Sequence, residues 1–166
     1  MRKVLYLIIL GAAALAFCVA PLLAWVPGRM TGGGSVLGTD ASGNTIRVTH
    51  GFELHCDPAK SPDNLEINWD GGNHFHLTNL TSIACYDDGQ SPAPPPNTAN
   101  LDDLYNGCGV GTFNGQPGYT ICFTFTDHGE PGDNDTAQYF ISATTIVLNV
   151  PATKLMFGNQ QVHPEN

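Results

Sequence analysis

The sequence predicts an all-β fold, an antiparallel β-sandwich of jelly-roll or Ig-like type, behind an N-terminal signal or anchor helix. Three observations predict it. No stretch beyond residue 24 keeps a helical period over three turns. Short alternating runs rich in β-branched and aromatic residues recur instead, with turn residues roughly every 8–12 positions. Four cysteines follow the N-terminal segment without a CxxC pair, which points to crosslinks in an exported domain and not to a zinc knuckle.

The N-terminal segment comes first. Arg2 and Lys3 precede an apolar run from Val4 to about Ala24. A positive start followed by an apolar stretch is an export signal. Residues 1–24 are therefore read as a signal peptide or an uncleaved N-terminal anchor, because about 20 apolar residues also suffice to span a bilayer. Residues 25–166 form a single β-sandwich domain. Phe17 before Cys18 argues against a lipoprotein, where a small residue is expected. The product is secreted and extracellular, or held at the cell surface if the segment is retained. Membrane contact is expected only through that segment.

Charge narrows the partners. Beyond residue 24, four basic residues (Arg29, Arg47, Lys60, Lys154) face 15 acidic ones. Nucleic acid is excluded, since phosphate neutralisation needs clustered Lys and Arg. Strong negative charge suits solubility or a cation ligand. An extracellular protein or a carbohydrate is the expected partner class.

The strands follow in order. Gly28–Ser35 (GRMTGGGS) carries no phosphate-loop signature, and its three glycines predict close backbone approach or a bulge leading into a short edge strand. A turn cluster at Asp40–Asn44 joins it to Thr45–Cys56, the clearest strand in the chain. There Ile46, Val48, His50, Phe52, Leu54 and Cys56 share one face, and polar or small residues occupy the other. His50 reads as a hydrogen-bonded core residue and His55 as outward-facing. Leu65–Trp69 alternates again. In His74–Tyr86 the alternation breaks near Asn79 and Leu80, which predicts a bulge. Asp87–Asn100 contains PAPPP and reads as a surface loop. Gly107–Phe113 and Tyr119–Thr126 flank Asn114-Gly115, a hairpin dipeptide, in a loop read as longer than two residues. Asp127–Thr136 is an acid-rich loop, Ala137–Ala143 and Thr145–Val150 are strands, and GNQQVHPEN is a polar tail, poorly ordered at its end. Phe52, Leu54, Ile67, Trp69, Leu77, Phe123 and Phe125 are expected to meet in one core.

Cys56, Cys85, Cys108 and Cys122 allow three connectivities. Sequence proximity favours Cys56–Cys85 and Cys108–Cys122, with Cys122 opposite the aromatic face of its strand. Each bridge would contribute about 3 kcal/mol through the unfolded state.

Six stretches, GRMTGGGS, RVTHGFELHCD, NLEINW, NHFHL, FTDHGEPGDND and GNQQVH, occur in this order between Gly28 and His163. Together they resemble the post-COAP domain family of exported bacterial proteins. The resemblance implies a β-rich module, found alone or attached to larger surface and secreted proteins, and implies no established activity. Cys108 and Cys122 look like an addition to the usual pattern, and the tail lacks the fuller Gly-Asn-His spelling.

The acidic loop is the leading candidate site. Asp127, Glu130, Asp133 and Asp135 lie close together, with Gly129, Pro131 and Gly132 bending the chain. Calcium takes six to eight oxygen ligands, and such a loop can supply several. The spacing is not that of an EF-hand, and acids also serve as ordinary turn formers. His74 and His76 share one strand face and could ligate a metal, as in cupin-like barrels. No G-x-S-x-G is present. The reading is therefore an exported, disulfide-stabilised, non-enzymatic interaction or structural module with calcium as the candidate ion. The alternatives are a cupin or jelly-roll metal enzyme on His74 and His76, and a calcium-dependent carbohydrate-binding module stacking sugars on Trp69, Tyr86 or Tyr105.

Overall fold

A computed structural model describes residues 28–88 and 103–164. The signal or anchor helix over residues 1–24 and the proline-rich stretch from 89 to 102 lie outside the described residues. Nine strands follow one another: β1 (Gly28–Asp40), β2 (Thr45–His55), β3 (Asn64–Trp69), β4 (Asn73–Tyr86), β5 (Leu104–Phe113), β6 (Gln116–Thr126), β7 (Thr136–Ser142), β8 (Ile146–Lys154) and β9 (Phe157–Pro164). A 3-10 turn, Asp70–Gly72, joins β3 to β4, and no α-helix occurs among the described residues.

The sandwich expectation is corrected. Strands β1 to β8 close into one antiparallel barrel, and β9 lies outside that ring along β1. Strand β1 is the cause. It pairs with β2 from Arg29 to Thr39, with β8 at Thr39 and Asp40, and with β9 from Gly28 to Ser35. A sandwich needs free edges on two sheets, whereas one long strand paired on both sides seals the ring. The expectation of a short edge strand here is corrected with it. Its glycines permit the seal: a Cβ on Gly32 would stand 2.9 Å from the Asn159 carbonyl oxygen, and one on Gly34 would stand 2.7 Å from that of Phe157.

Alternation fills the interior. Phe52, Leu54, Ile67, Trp69, Leu77, Phe123 and Phe125 are all buried in one cluster, as their periodicity requires. Phe52 stacks on Phe125 at 4.2 Å between centroids, and Trp69 on Phe113 at 5.2 Å. Strand β5 makes room for these rings by presenting glycine inward. A Cβ on Gly107 would meet Phe123 at 2.7 Å, and one on Gly109 would meet Leu77 at 2.4 Å. Large and small residues thus interdigitate across the barrel.

Local features follow from residue type. Asn114 and Gly115 adopt φ of 50° and 77°, and Phe113 pairs with Gln116, so the turn has two residues. The longer loop expected there is corrected, because Asn-Gly accommodates positive φ at both positions. Register shifts between Leu77 and Asn79 and between Leu80 and Ser82 confirm the bulge on β4. Both disulfides expected from proximity are present. Cys56–Cys85 ties the end of β2 to β4, and Cys108–Cys122 joins register partners on β5 and β6. His55 is buried beside Asp63, against the expectation that it faces outward. Of the polar tail, residues 158–164 are corrected: they belong to strand β9, with Gln160 and Val162 buried, and residues 165 and 166 lie outside the described residues.

Candidate functional site

The barrel has two unlike ends. At one, β1–β2, β3–β4, β5–β6 and β7–β8 are joined by short turns. At the other lie the connections after β2 and β6 and the described residues, 87, 88 and 103, of the connection after β4. Those connections carry Asp57, Asp63, Asp87, Asp88, Asp103, Asp127, Glu130, Asp133 and Asp135. Chain direction alone collects them, since alternate connections of an antiparallel barrel fall at the same end.

Among the described residues, no three of the four acids nominated from the sequence bring carboxylate oxygens within 4.8 Å of one another. Asp135 is fully buried: Oδ1 accepts the His128 backbone N–H at 2.8 Å, and Oδ2 accepts that of Gln160 at 2.7 Å. Asp127 is buried likewise, accepting from the N–H of Gly129 and of Val162, each at 2.9 Å. Glu130 accepts from the Asn159 amide at 3.0 Å and from the Gln161 amide. Asp133 is exposed. Gln160 and Val162 belong to β9, so Asp127 and Asp135 take the place of a neighbouring strand along part of its outer edge. Burial raises the Asp135 pKa, and the nearby Asp127 charge adds to it, while the two N–H donors pull it down.

Beside this clasp, Asp87, Asp88 and Asp103 each place a carboxylate oxygen within 4.8 Å of the others. Asp103 is buried and Oδ1 accepts the Asp88 N–H at 2.8 Å. Its backbone carbonyl accepts the Asp127 N–H, which links the two groups of acids. His128 Nε2 lies 2.9 Å from Asp88 Oδ2. Burial is the largest influence on His128 and works to lower its pKa. The Asp88 hydrogen bond, the Asn134 carbonyl and the charges of Asp88 and Asp103 outweigh it, and the net shift is upward. Sequence reading missed this trio because its members straddle the proline-rich stretch. The signal available was the pair of Asp-Asp dipeptides, 87–88 and 102–103, flanking it.

His74 and His76 do converge with a carboxylate, that of Glu66 on β3. They stand on the outer surface of a filled barrel, unlike the inward metal site of a jelly-roll cupin. Of the three aromatic platforms, Trp69 and Tyr105 are buried in the core, and Tyr86 is exposed. No family model, curated protein or solved structure matches the chain.

Proposed function

We propose that this chain is an exported β-barrel module that acts by binding an extracellular protein or carbohydrate, without catalysis. One observation carries the reading: the described residues of the three longer connections, acids among them, gather at one end of a filled barrel. Binding residues concentrate on loops held by such scaffolds. Two disulfides and the apolar segment over residues 1–24 support export. The post-COAP resemblance supports the same reading through its six ordered stretches.

Cell fractionation with thiol trapping tests export. Protein outside the cytoplasm with its four disulfide cysteines blocked from alkylation is the expected result, and cytoplasmic protein with reactive thiols overturns it. Binding is tested on intact cells and a glycan panel. Glu130→Gln with Asp133→Asn, at the loop end, should weaken retention. Asp70→Asn, in the β3–β4 turn, should leave it unchanged. Equal retention of all three proteins would move the binding surface elsewhere.

Calcium binding at the same end is a second reading, favoured by the Asp87, Asp88 and Asp103 cluster. It replaces Asp127 and Asp135, whose oxygens hold β9, as the centre of the expected site. Calcium at ten times its Kd would stabilise the fold by about 1.4 kcal/mol. Thermal unfolding in millimolar calcium or chelator should show a gain of a few degrees in wild type and a smaller gain in Asp87→Asn. Equal gains would signify charge screening, and no gain would remove calcium from the reading.

A further inference from the structure

We propose that the Cys108–Cys122 bridge is a thiol–disulfide exchange site, opened at Cys122 by a low-molecular-weight peptide thiol of the glutathione class. The two bridges lie in different places. Cys56 belongs to the core and Cys85 packs against it. Cys108 and Cys122 are register partners on β5 and β6, half-buried and outside that core. Their chain neighbours Gly107, Gly109, Ile121 and Phe123 are buried, so alternation turns both cysteines to the outer wall.

The wall around the bridge suits an incoming thiolate. Exchange proceeds by attack on one sulfur, through a mixed disulfide, while the other sulfur leaves. Cys122 has Cys108 of β5 on one side and Phe140 of β7 on the other. With Cys108 leaving towards β5, the attacking sulfur approaches from the β7 side. An open depression of about 170 Å³ lies on that side, lined by Cys122 and the exposed Phe140 and by Asn106, Thr124 and Gln138. The last three are successive register partners across β5, β6 and β7, and the Asn106 amide donates to the Thr124 hydroxyl at 2.8 Å. This polar row offers hydrogen bonds to the amide groups of a peptide thiol. Charge does not oppose it, because β5, β6 and β7 contain no Asp, Glu, Lys, Arg or His, in a domain otherwise strongly acidic.

The thiolate attacks Cys122 Sγ, the bond to Cys108 breaks, and Cys108 leaves as a thiolate that takes a proton from water. A second thiol then attacks the sulfur of the bound thiol and releases Cys122. Two external thiols are oxidised to their disulfide, and the bridge is reduced by two electrons. Cys108 stays opposite Cys122 in the ladder, so in the absence of a second thiol it expels the adduct and restores the bridge.

The test treats the oxidised protein with reduced glutathione under native conditions, followed by acid quenching, alkylation and peptide mapping. Cys108 and Cys122 should become alkylated about ten times faster than Cys56 and Cys85, while the product keeps a cooperative thermal transition. Cys108→Ser cannot expel the adduct and should retain glutathione on Cys122 after exposure to oxidised glutathione. Cys122→Ser should acquire it on Cys108 about tenfold more slowly. Equal opening rates for the two bridges, or opening of Cys108–Cys122 only as fast as the barrel unfolds across a urea series, would overturn the proposal. Modification of Cys108 in Cys122→Ser as fast as that of Cys122 in Cys108→Ser would overturn the assignment of Cys122 as the attacked sulfur. The wild-type rates decide the matter even if neither variant folds.

Discussion

Histidine 50 makes the stability of this barrel depend on pH in a way that can be worked from its surroundings. The imidazole lies inside, 5% exposed, against Phe125 at 5.3 Å and Tyr139 at 5.7 Å between centroids. Its polar neighbours are the Tyr139 hydroxyl, 3.4 Å from Nδ1, and the Gln160 amide, 3.5 Å from Nε2. Both contacts are long, and neither neighbour carries an opposite charge. Burial therefore lowers the His50 pKa from 6.5 to about 4. The unfolded chain binds a proton near pH 6.5, and the native barrel resists it until about pH 4. Stability from this group is complete above the unfolded value and is lost as pH falls through the window between the two. The whole loss is about 3 kcal/mol, at 1.36 kcal/mol per pH unit. His128 works with the opposite sign: its raised pKa gives stability that is present below its unfolded value and lost as pH rises through the folded one. Comparing wild type with His50→Gln by denaturant unfolding from pH 7.5 to 4 cancels that contribution. The variant should start less stable and then lose about 3 kcal/mol less than wild type across the range. A stability difference constant across the range would refute the argument.

Three further outcomes are expected. Asp135→Ala removes the acceptor for two backbone N–H groups and should cost about 2–4 kcal/mol in calcium or chelator alike, whereas exposed Asp133→Asn should stay within about 0.5 kcal/mol. Equal losses in denaturant unfolding would mean that the β9 clasp is not what Asp135 supplies. Phe125→Ala, which vacates a fully buried ring stacked on Phe52, should cost about 3–5 kcal/mol, and a loss under about 1 kcal/mol would contradict its central place. Replacing Cys56 and Cys85 together by Ala should cost about 3.6 kcal/mol and replacing Cys108 and Cys122 about 3 kcal/mol, because the first pair closes the longer loop. Reduced and oxidised protein compared by urea denaturation provide the check.

Much of the wall of the barrel was legible because burial on one side of a strand writes itself as alternation. Ile46 to Cys56 and Ile121 to Phe125 show it directly, and the inward positions they name are buried. Closure was not legible. A strand in a sandwich and a strand in a barrel bury the same face, so alternation cannot separate them. What decides is whether one strand accepts partners on both edges along its length. In β1 that property rests on Gly32 and Gly34, whose meaning depends on the Asn159 and Phe157 carbonyls lying beside them. Glycine states that something comes close; it does not say what. The Glu66 contribution to the His74 and His76 cluster was hidden for a similar reason, since cross-strand register is set by the β3–β4 turn.

Strand β9 shows the same limit from its polar side. Its buried positions are Gln160 and Val162 alone, too few and too polar to read as a strand. Gln160 is nonetheless wholly buried, and its side chain meets His50 from β2. Each residue looks out of place alone, and each supplies polar company for the other inside the barrel. The outer edge of β9 is equally hard to read, because part of its pairing comes from the side chains of Asp127 and Asp135. A loop of acids between two strands reads naturally as a cation site. Here two of those acids accept backbone N–H groups, so the charge that suggested a ligand for an ion serves first as a substitute for a strand. Glu130 and Asp133 of the same loop are exposed and accept no backbone N–H of β9, and Asp87, Asp88 and Asp103 bring their carboxylates together beside it.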